Sequence, residues 1–129
     1  MLVLDASAVV EMLLRTRRGN AVANHLAEEA IAAPELLDVE VAFALARLER
    51  ASSVSQLEAE AAVRLLIRLP VRRISNALLV RRAWAARSRL RMSDAFYVAA
   101  SELAGAALLT CDARLSRAVS SRLTVIVVH

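Results

Sequence analysis

The chain contains 129 residues, 58% of them apolar, and it has a formal net charge of +4. This length suffices for one domain with a substantial core, so we expect residues 1–129 to form a single domain. No stretch approaches the roughly 20 apolar residues of a membrane-spanning helix, and no charged leader opens the sequence, so we expect a cytoplasmic protein with no membrane partner. Cys111 is the only cysteine, which excludes an internal disulfide and a cysteine-rich zinc site.

Short apolar runs alternate with helical patterns along the chain. The runs predict buried strands at residues 2–5, 31–33, 71–74, 107–111 and 124–128. The intervening segments predict helices at residues 6–14, 20–30, 35–50, 56–69, 76–89, 93–105 and 112–119. Ser55, with Glu58 three residues later, has the pattern of a capping box at the start of the fourth helix. This alternation is typical of an α/β protein in which helices cover both faces of a parallel sheet.

Three aspartates stand at positions that a parallel sheet brings together. Asp5 and Asp112 each end a strand and precede a helix. Asp94 lies in the first turn of the helix that leads into the strand before Asp112. Because the carboxyl ends of parallel strands share one edge, where ligands bind, we expect the three side chains to meet there.

Glu40 is the fourth acidic candidate, because it interrupts an apolar face of its helix. The residues three and four positions away are Leu36, Leu37, Phe43 and Ala44. A lone glutamate on such a face is costly to bury unless it is paired or bound to a metal. Asp38 points to the other side of the helix and is interpreted as a surface residue.

Carboxylates gathered at one point repel one another, so at least one should have a raised pKa. Oxygen ligands without histidine or cysteine favour a hard cation such as Mg²⁺ or Mn²⁺. Ser7 and Thr110 are candidate helpers, each able to hold a carboxylate or a metal-bound water. A structural alternative stays open for three of the acids, since Asp5 and Asp112 suit helix N-caps and Asp94 suits a first helical turn.

All 17 basic residues are arginine, and the absence of lysine excludes mechanisms that need an amine. Nine arginines and no acid fall within residues 61–93. Such a block suits a phosphate backbone, and the alternatives are a solvated helix surface or an acidic protein partner. Tyr97, one turn after Asp94, could stack on a base or pack in the core.

At these residues the sequence resembles the PIN-domain family, and within it the VapC-type toxins of bacterial toxin–antitoxin pairs. The matching stretches are residues 3–8 (VLDASA), 34–41 (PELLDVEV), 93–102 (SDAFYVAASE) and 108–115 (LLTCDARL). Any one of these motifs is weak, but all four in this order are specific. The resemblance extends over essentially the whole chain.

The resemblance implies a three-layer α/β/α sandwich with a central parallel sheet. It also implies RNA cleavage that depends on Mg²⁺ or Mn²⁺, a homodimer, and a cognate VapB-like antitoxin partner. The acidic site carries over to Asp5, Glu40, Asp94 and Asp112, which we expect to be both the metal ligands and the catalytic residues. Ser7 and Thr110 carry over as helpers. Among the basic residues, we take Arg87, Arg89 and Arg91 as candidates for holding RNA.

The chain departs from the family pattern at three places. Phe43 stands where many relatives have an asparagine, and Ser93 stands where an aromatic residue often precedes the aspartate. Ala113 and Arg114 stand where some relatives carry a further acid. These departures bear on the choice of substrate and on the number of metal ions bound.

The sequence has to be compared with two rival functions, one enzymatic and one not. Phosphoryl transfer to an aspartate also uses acids at strand ends, but it requires a lysine that this chain lacks. A degenerate PIN fold that only binds RNA or serves as a scaffold is the non-enzymatic alternative. The intact set of four acids favours the nuclease.

Overall fold

The computed structural model describes residues 1–119, 121 and 123–129. Its strands are β1 (Leu2–Leu4), β2 (Ile31–Pro34), β3 (Val71–Ile74), β4 (Ala107–Thr110) and β5 (Val125–Val127). Its helices are α1 (Ala6–Leu13), α2 (Arg17–Leu26), α3 (Leu36–Arg50), α4 (Gln56–Arg68), α5 (Asn76–Ala85), α6 (Met92–Ala104) and α7 (Ala113–Ala118).

The five strands form one parallel sheet in the order β3-β2-β1-β4-β5, which confirms the predicted sheet. β1 is the central strand, with Leu2 opposite Ile31 of β2 and Ala107 of β4. The chain runs outward from β1 to β3 on one side, then returns to build β4 and β5 on the other. The point where the order reverses therefore lies between β1 and β4. Open parallel sheets bind ligands at such a point, beyond the carboxyl ends of the strands.

Two groups of helices enclose the sheet and complete the three-layer sandwich. One group contains α1, which contacts α2, α3 and α4 and also touches β4. The other contains α5 and α6, and α6 rests on β1, β2 and β4. Val3, Leu4, Leu108 and Leu109 are fully buried between the layers. Across the described ranges, no helix combines the length and the apolar character that crossing a membrane requires.

Local capping sets several helix ends. The Ser55–Glu58 capping box is present at the start of α4, as predicted. α6 ends at Gly105, whose left-handed backbone (φ 60°) is the conformation that glycine adopts at little cost. The predicted C-terminus of this helix is therefore confirmed.

Three predicted boundaries are wrong. α2 ends at Leu26 and not at residue 30, because the backbone of Ala27 (φ 21°, ψ −90°) is not helical. α2 begins at Arg17 and not at residue 20, because the Thr16 side chain accepts a hydrogen bond from the Gly19 N–H and caps the helix earlier. α5 ends at Ala85 and not at residue 89, because the next N–H groups bond to carbonyls three residues back and tighten the chain into turns.

Gly19 marks the closest approach of α2 to α1. A Cβ atom at this position would lie 2.8 Å from the Met12 Cα and closer still to the Glu11 carbonyl group. These are backbone atoms of a packed helix, so they cannot move aside cheaply. We therefore expect Gly19→Ala to lower the free energy of unfolding by about 3 kcal/mol, the upper end of overpacking costs, in a urea titration.

Gly105→Ala is the matched control. No atom lies within 4 Å of the Cβ that it would add, and the cost is limited to left-handed backbone strain of about 1 kcal/mol. Equal losses in the two variants would contradict the close packing of α1 against α2.

Candidate active site

The carboxyl ends of β1 and β4 open into a cavity of 430 Å³. Its wall includes all four predicted acids, which are Asp5, Glu40, Asp94 and Asp112. They come from different parts of the fold: the end of β1, α3, the first turn of α6, and the link between β4 and α7. We call this cavity the acidic pocket. It lies where the strand order reverses, as the topology argument requires.

Asp5 is the buried member of the acidic pocket, with an exposed fraction of 5%. Its Oδ1 accepts hydrogen bonds from the Ser7 hydroxyl (2.7 Å) and the Ala8 N–H (3.1 Å), and its Oδ2 accepts one from the Thr110 hydroxyl (2.6 Å). Burial raises the pKa of Asp5, and these three hydrogen bonds offset part of the rise. The charge of Asp112 makes the smallest contribution. A raised pKa was predicted, but its main cause is burial and not repulsion.

The two predicted helper residues join the ends of β1 and β4. The fully buried Thr110 hydroxyl donates to Asp5 and accepts from the Asp112 N–H at 2.9 Å. The Ser7 hydroxyl accepts from the Cys111 N–H at 3.0 Å, and the two hydroxyl oxygens are 3.2 Å apart. Both side chains thus fix the position of the Asp5 carboxylate and of the backbone that carries Asp112.

Asp94 and Asp112 share one cationic partner. The Nη2 atom of Arg114 lies 3.0 Å from Asp94 Oδ2 and 2.9 Å from Asp112 Oδ2. The other carboxylate oxygen of Asp112 accepts the N–H groups of Arg114 (2.9 Å) and Leu115 (3.3 Å), so Asp112 also caps α7. The capping and pocket interpretations of Asp112 are therefore compatible, because each uses a different oxygen.

Glu40 lines the acidic pocket, but the predicted reason for its placement is partly wrong. Phe43 is 65% exposed, so the face it shares with Glu40 is not a core face. The residues that α3 buries are Leu37, Val41 and Leu45.

Asp38 is also more than a surface residue, because the Arg73 guanidinium donates to both of its oxygens, at 2.7 and 2.9 Å.

Tyr97 packs beneath the acidic pocket. Its exposed fraction is 2%, which leaves no free ring face, so the base-stacking interpretation is wrong and the core interpretation is correct. Its hydroxyl makes no hydrogen bond to the described residues. Burial first, and then the nearby Glu40 carboxylate, raise the pKa of Tyr97 far above its ordinary value, so the phenol stays protonated.

The three arginines proposed to hold RNA have different surroundings. Arg91 lines the acidic pocket. Arg89 lines a separate cavity between α5 and α6. Arg87 lies over the Trp84 ring, 4.6 Å from its centroid, and donates to the Trp84 carbonyl. Of these three arginines, Arg91 is therefore the one that lies at the acidic pocket.

Four charged residues of the acidic pocket were not predicted: Glu11, Arg18, Arg47 and Arg114. Glu11 pairs with Arg18 at 2.6 Å, and Arg18 also donates to the Cys111 carbonyl at 3.4 Å. A signal for Glu11 existed, because it lies four residues after Ser7 and thus on the same face of α1. Arg18 had no such signal, since its position depends on how α2 packs.

The acidic pocket fits a hard divalent cation by its donor type. Within residues 1–119, 121 and 123–129, no three Asp, Glu, His or Cys side chains converge tightly enough to hold a metal ion as they stand. Asp94 and Asp112 nevertheless share one positively charged nitrogen, so the negative charge of both carboxylates is directed at one point of the pocket. The other two acids of the pocket add further oxygen donors, the ligand type that Mg²⁺ and Mn²⁺ prefer.

Many α/β proteins place acids at the ends of parallel strands, so the architecture alone does not identify the protein family. Comparison with known proteins does. The sequence profile of the PIN domain matches residues 2–120, so the chain belongs to the PIN-domain family.

Named relatives narrow the class. The chain is 44% identical to Ribonuclease VapC3 of Mycobacterium tuberculosis, over 90% of this chain and 85% of the relative. It is 41% identical to Ribonuclease VapC12 of the same species, over 91% of each.

Solved structures share the fold at lower identity. PAE2754 from Pyrobaculum aerophilum has a TM-score of 0.72 at 21% identity, over 96% of this chain and 82% of that one. VapC20 of M. tuberculosis, described as a sarcin-ricin loop cleaving toxin, has a TM-score of 0.66 at 18% identity, over 96% and 99%. VapBC2 from Rickettsia felis, bound to a DNA fragment from its promoter, gives 0.67 at 15% identity, over 97% and 96%.

The raised pKa of Asp5 predicts how stability depends on pH. The native state keeps this proton to a higher pH than the unfolded chain, whose Asp pKa is about 3.9. Ionisation of Asp5 therefore costs stability as the pH rises from the unfolded pKa through the native one. We expect Asp5→Asn to melt at a higher temperature than wild type at pH 7 in EDTA, because the amide is uncharged and its burial carries no ionisation cost.

The advantage of Asp5→Asn should vanish as the pH falls to 4. Calorimetric melting curves between pH 4 and 8 measure both effects. Glu49→Gln removes an exposed carboxylate of α3 and should follow wild type at every pH. A stability gain for Asp5→Asn that does not change with pH would contradict burial as the source of the raised pKa.

Proposed function

We propose that this chain is a metal-dependent endoribonuclease and the toxin of a bacterial toxin–antitoxin pair. The observation that carries the proposal is the acidic pocket, a cavity at the reversal point of the sheet that four carboxylates from separate elements line. Relatives at 41–44% identity that are named VapC ribonucleases support the reaction class. A degenerate PIN fold is disfavoured, because none of the four acids has been replaced.

We assign the acidic residues as the ligands of Mg²⁺ or Mn²⁺. When bound, the metal supplies a Lewis acid that lowers the pKa of a water molecule and neutralises charge on the phosphate. Asp5 is oriented for this task by the hydroxyls of Ser7 and Thr110 and by the Ala8 N–H. Asp94 is less buried than Asp5 and lies across the pocket, so we assign it the acceptance of the proton of the attacking water.

RNA phosphates that flank the cleaved bond require cationic partners near the pocket. Arg91, Arg18 and Arg47 line its wall and are the candidates for this role. Of the three arginines proposed from the sequence, only Arg91 meets this criterion. Guanidinium groups suit the task because they bind phosphate oxygens through two parallel hydrogen bonds.

We further propose a VapB-like antitoxin as partner, a homodimer as the assembly, and the cytoplasm, where RNA is available, as the compartment. Several helices carry large apolar side chains on their surface, and a protein partner that covered them would remove this apolar area from water. The most exposed are Leu57, Ile67, Leu78, Phe43 and Trp84.

Cleavage should require a divalent cation and the acids of the pocket. With an RNA substrate, we expect activity with Mg²⁺ or Mn²⁺, none in EDTA, and a loss of about 100-fold or more in Asp94→Asn. Glu102→Gln is the matched control, because Glu102 lies on the same helix, is exposed, and lines no part of the acidic pocket. Undiminished cleavage by Asp94→Asn, or equal losses in the two variants, would rule out the assigned site.

The arginines should differ in their contribution to RNA binding. Arg91→Ala should weaken affinity for an uncleavable RNA and reduce the salt slope by about 0.7, the value for one single-strand phosphate contact. Arg89→Ala removes the same charge from the other cavity and should leave the slope unchanged. Fluorescence anisotropy at several salt concentrations measures both. If Arg91→Ala weakens only antitoxin binding, Arg91 belongs to a protein interface and not to the RNA site.

A further inference from the structure

The remaining charged feature of the acidic pocket is Arg114, a residue that stands where some relatives carry an acid. It lies in the first turn of α7, two residues after Asp112. Its side chain is 40% exposed, and one of its nitrogens is held between Asp94 and Asp112, at 3.0 and 2.9 Å. The guanidinium thus neutralises two carboxylates that have no other cationic partner among the described residues.

Both contacts use oxygen atoms that a divalent cation would need. A carboxylate oxygen directed at a guanidinium presents its electron pairs to that group, and a second cation nearby is repelled by it. Arg114 and a metal ion bound by Asp94 and Asp112 therefore compete for the same oxygens. The backbone of Asp112 does not have to move in this exchange, because its cap to α7 uses the other oxygen.

We propose that Arg114 is a built-in counter-ion that competes with the divalent metal and sets its affinity. Its ion pairs stabilise the pocket when the metal is not bound, and the metal must displace the side chain to reach Asp94 and Asp112. The half-exposed position of Arg114 allows this, since the guanidinium can swing into solvent without disturbing the core. The inference rests on the proposed function, because it assumes that these carboxylates bind metal.

Removing the Arg114 side chain should therefore lower the melting temperature of the metal-free protein and raise its affinity for a divalent metal. Arg114→Ala should melt lower than wild type in EDTA, because Asp94 and Asp112 then repel each other without compensation. The same variant should bind Mn²⁺ about threefold to tenfold more tightly by isothermal titration calorimetry, the factor expected for loss of two partly exposed ion pairs. A merely structural ion pair would lower the melting temperature and leave Mn²⁺ affinity unchanged.

Two further variants separate competition from general electrostatics. Arg117→Ala removes the same charge from the same helix, at an exposed residue outside the pocket, and should leave Mn²⁺ affinity near that of wild type. Arg114→Lys restores the charge and should return both properties toward wild type.

The outcomes separate this inference from the proposed function. If neither wild type nor Arg114→Ala binds Mn²⁺, the metal site is wrong and the inference falls with it. If wild type binds Mn²⁺ and Arg114→Ala binds it no more tightly, or if Arg117→Ala tightens binding equally, the competition is wrong and the metal site stands. Tighter binding in Arg114→Ala alone, with partial reversal in Arg114→Lys, supports the competition.

Discussion

The buried carboxylate of Asp5 and its three hydrogen bonds are the interaction on which the acidic pocket depends. Asp5 follows the central strand, and its oxygens take hydrogen bonds from its own helix and from the neighbouring strand β4. Removing an ionised carboxylate from water costs free energy. The three hydrogen-bond donors around Asp5 offset part of this cost and so allow the residue to be buried. Those donors also prevent it from rotating. The hydrogen bond from Thr110 to Asp5, which joins the end of β4 to the end of β1, is thus also one of the contacts that orient Asp5 in the acidic pocket.

The structural and functional explanations of the acids turn out not to be alternatives. Asp5 caps α1 and Asp112 caps α7, and both line the acidic pocket. In Asp112 the two oxygens divide these tasks, since Oδ1 accepts the backbone N–H groups of α7 and Oδ2 contacts Arg114 of the pocket. In Asp5, Oδ1 accepts the Ala8 N–H and Oδ2 accepts the Thr110 hydroxyl. The cap fixes the side-chain rotamer, which lowers the entropy that ligand binding would otherwise lose. A helix cap at the carboxyl end of a strand is therefore a natural position for a ligand of this kind.

The sequence was sufficient to place the acids but not their charged neighbours. Strand ends and the first turn of a helix are positions that local pattern defines, so Asp5, Asp94 and Asp112 could be located. The basic block alone did not show which of its arginines lies at the acidic pocket, because that depends on the turns that follow α5. The ion-pair partners of Arg114 could not be predicted from the sequence. Which acids its side chain reaches depends on how α6 packs relative to α7.

The order of the strands determines when the acidic pocket can assemble during synthesis of the chain. Residues enter the fold in sequence during synthesis, and the central strand β1 pairs with β4 only after residues 107–110 have been made. Until then, Thr110 is not present to orient Asp5, and Asp112 has not joined the acidic pocket. A ribosome making this chain therefore carries Asp5, Glu40 and Asp94 without a complete site. By this topology, the acidic pocket cannot be completed until residues 107–112 have been made and β4 has paired with β1.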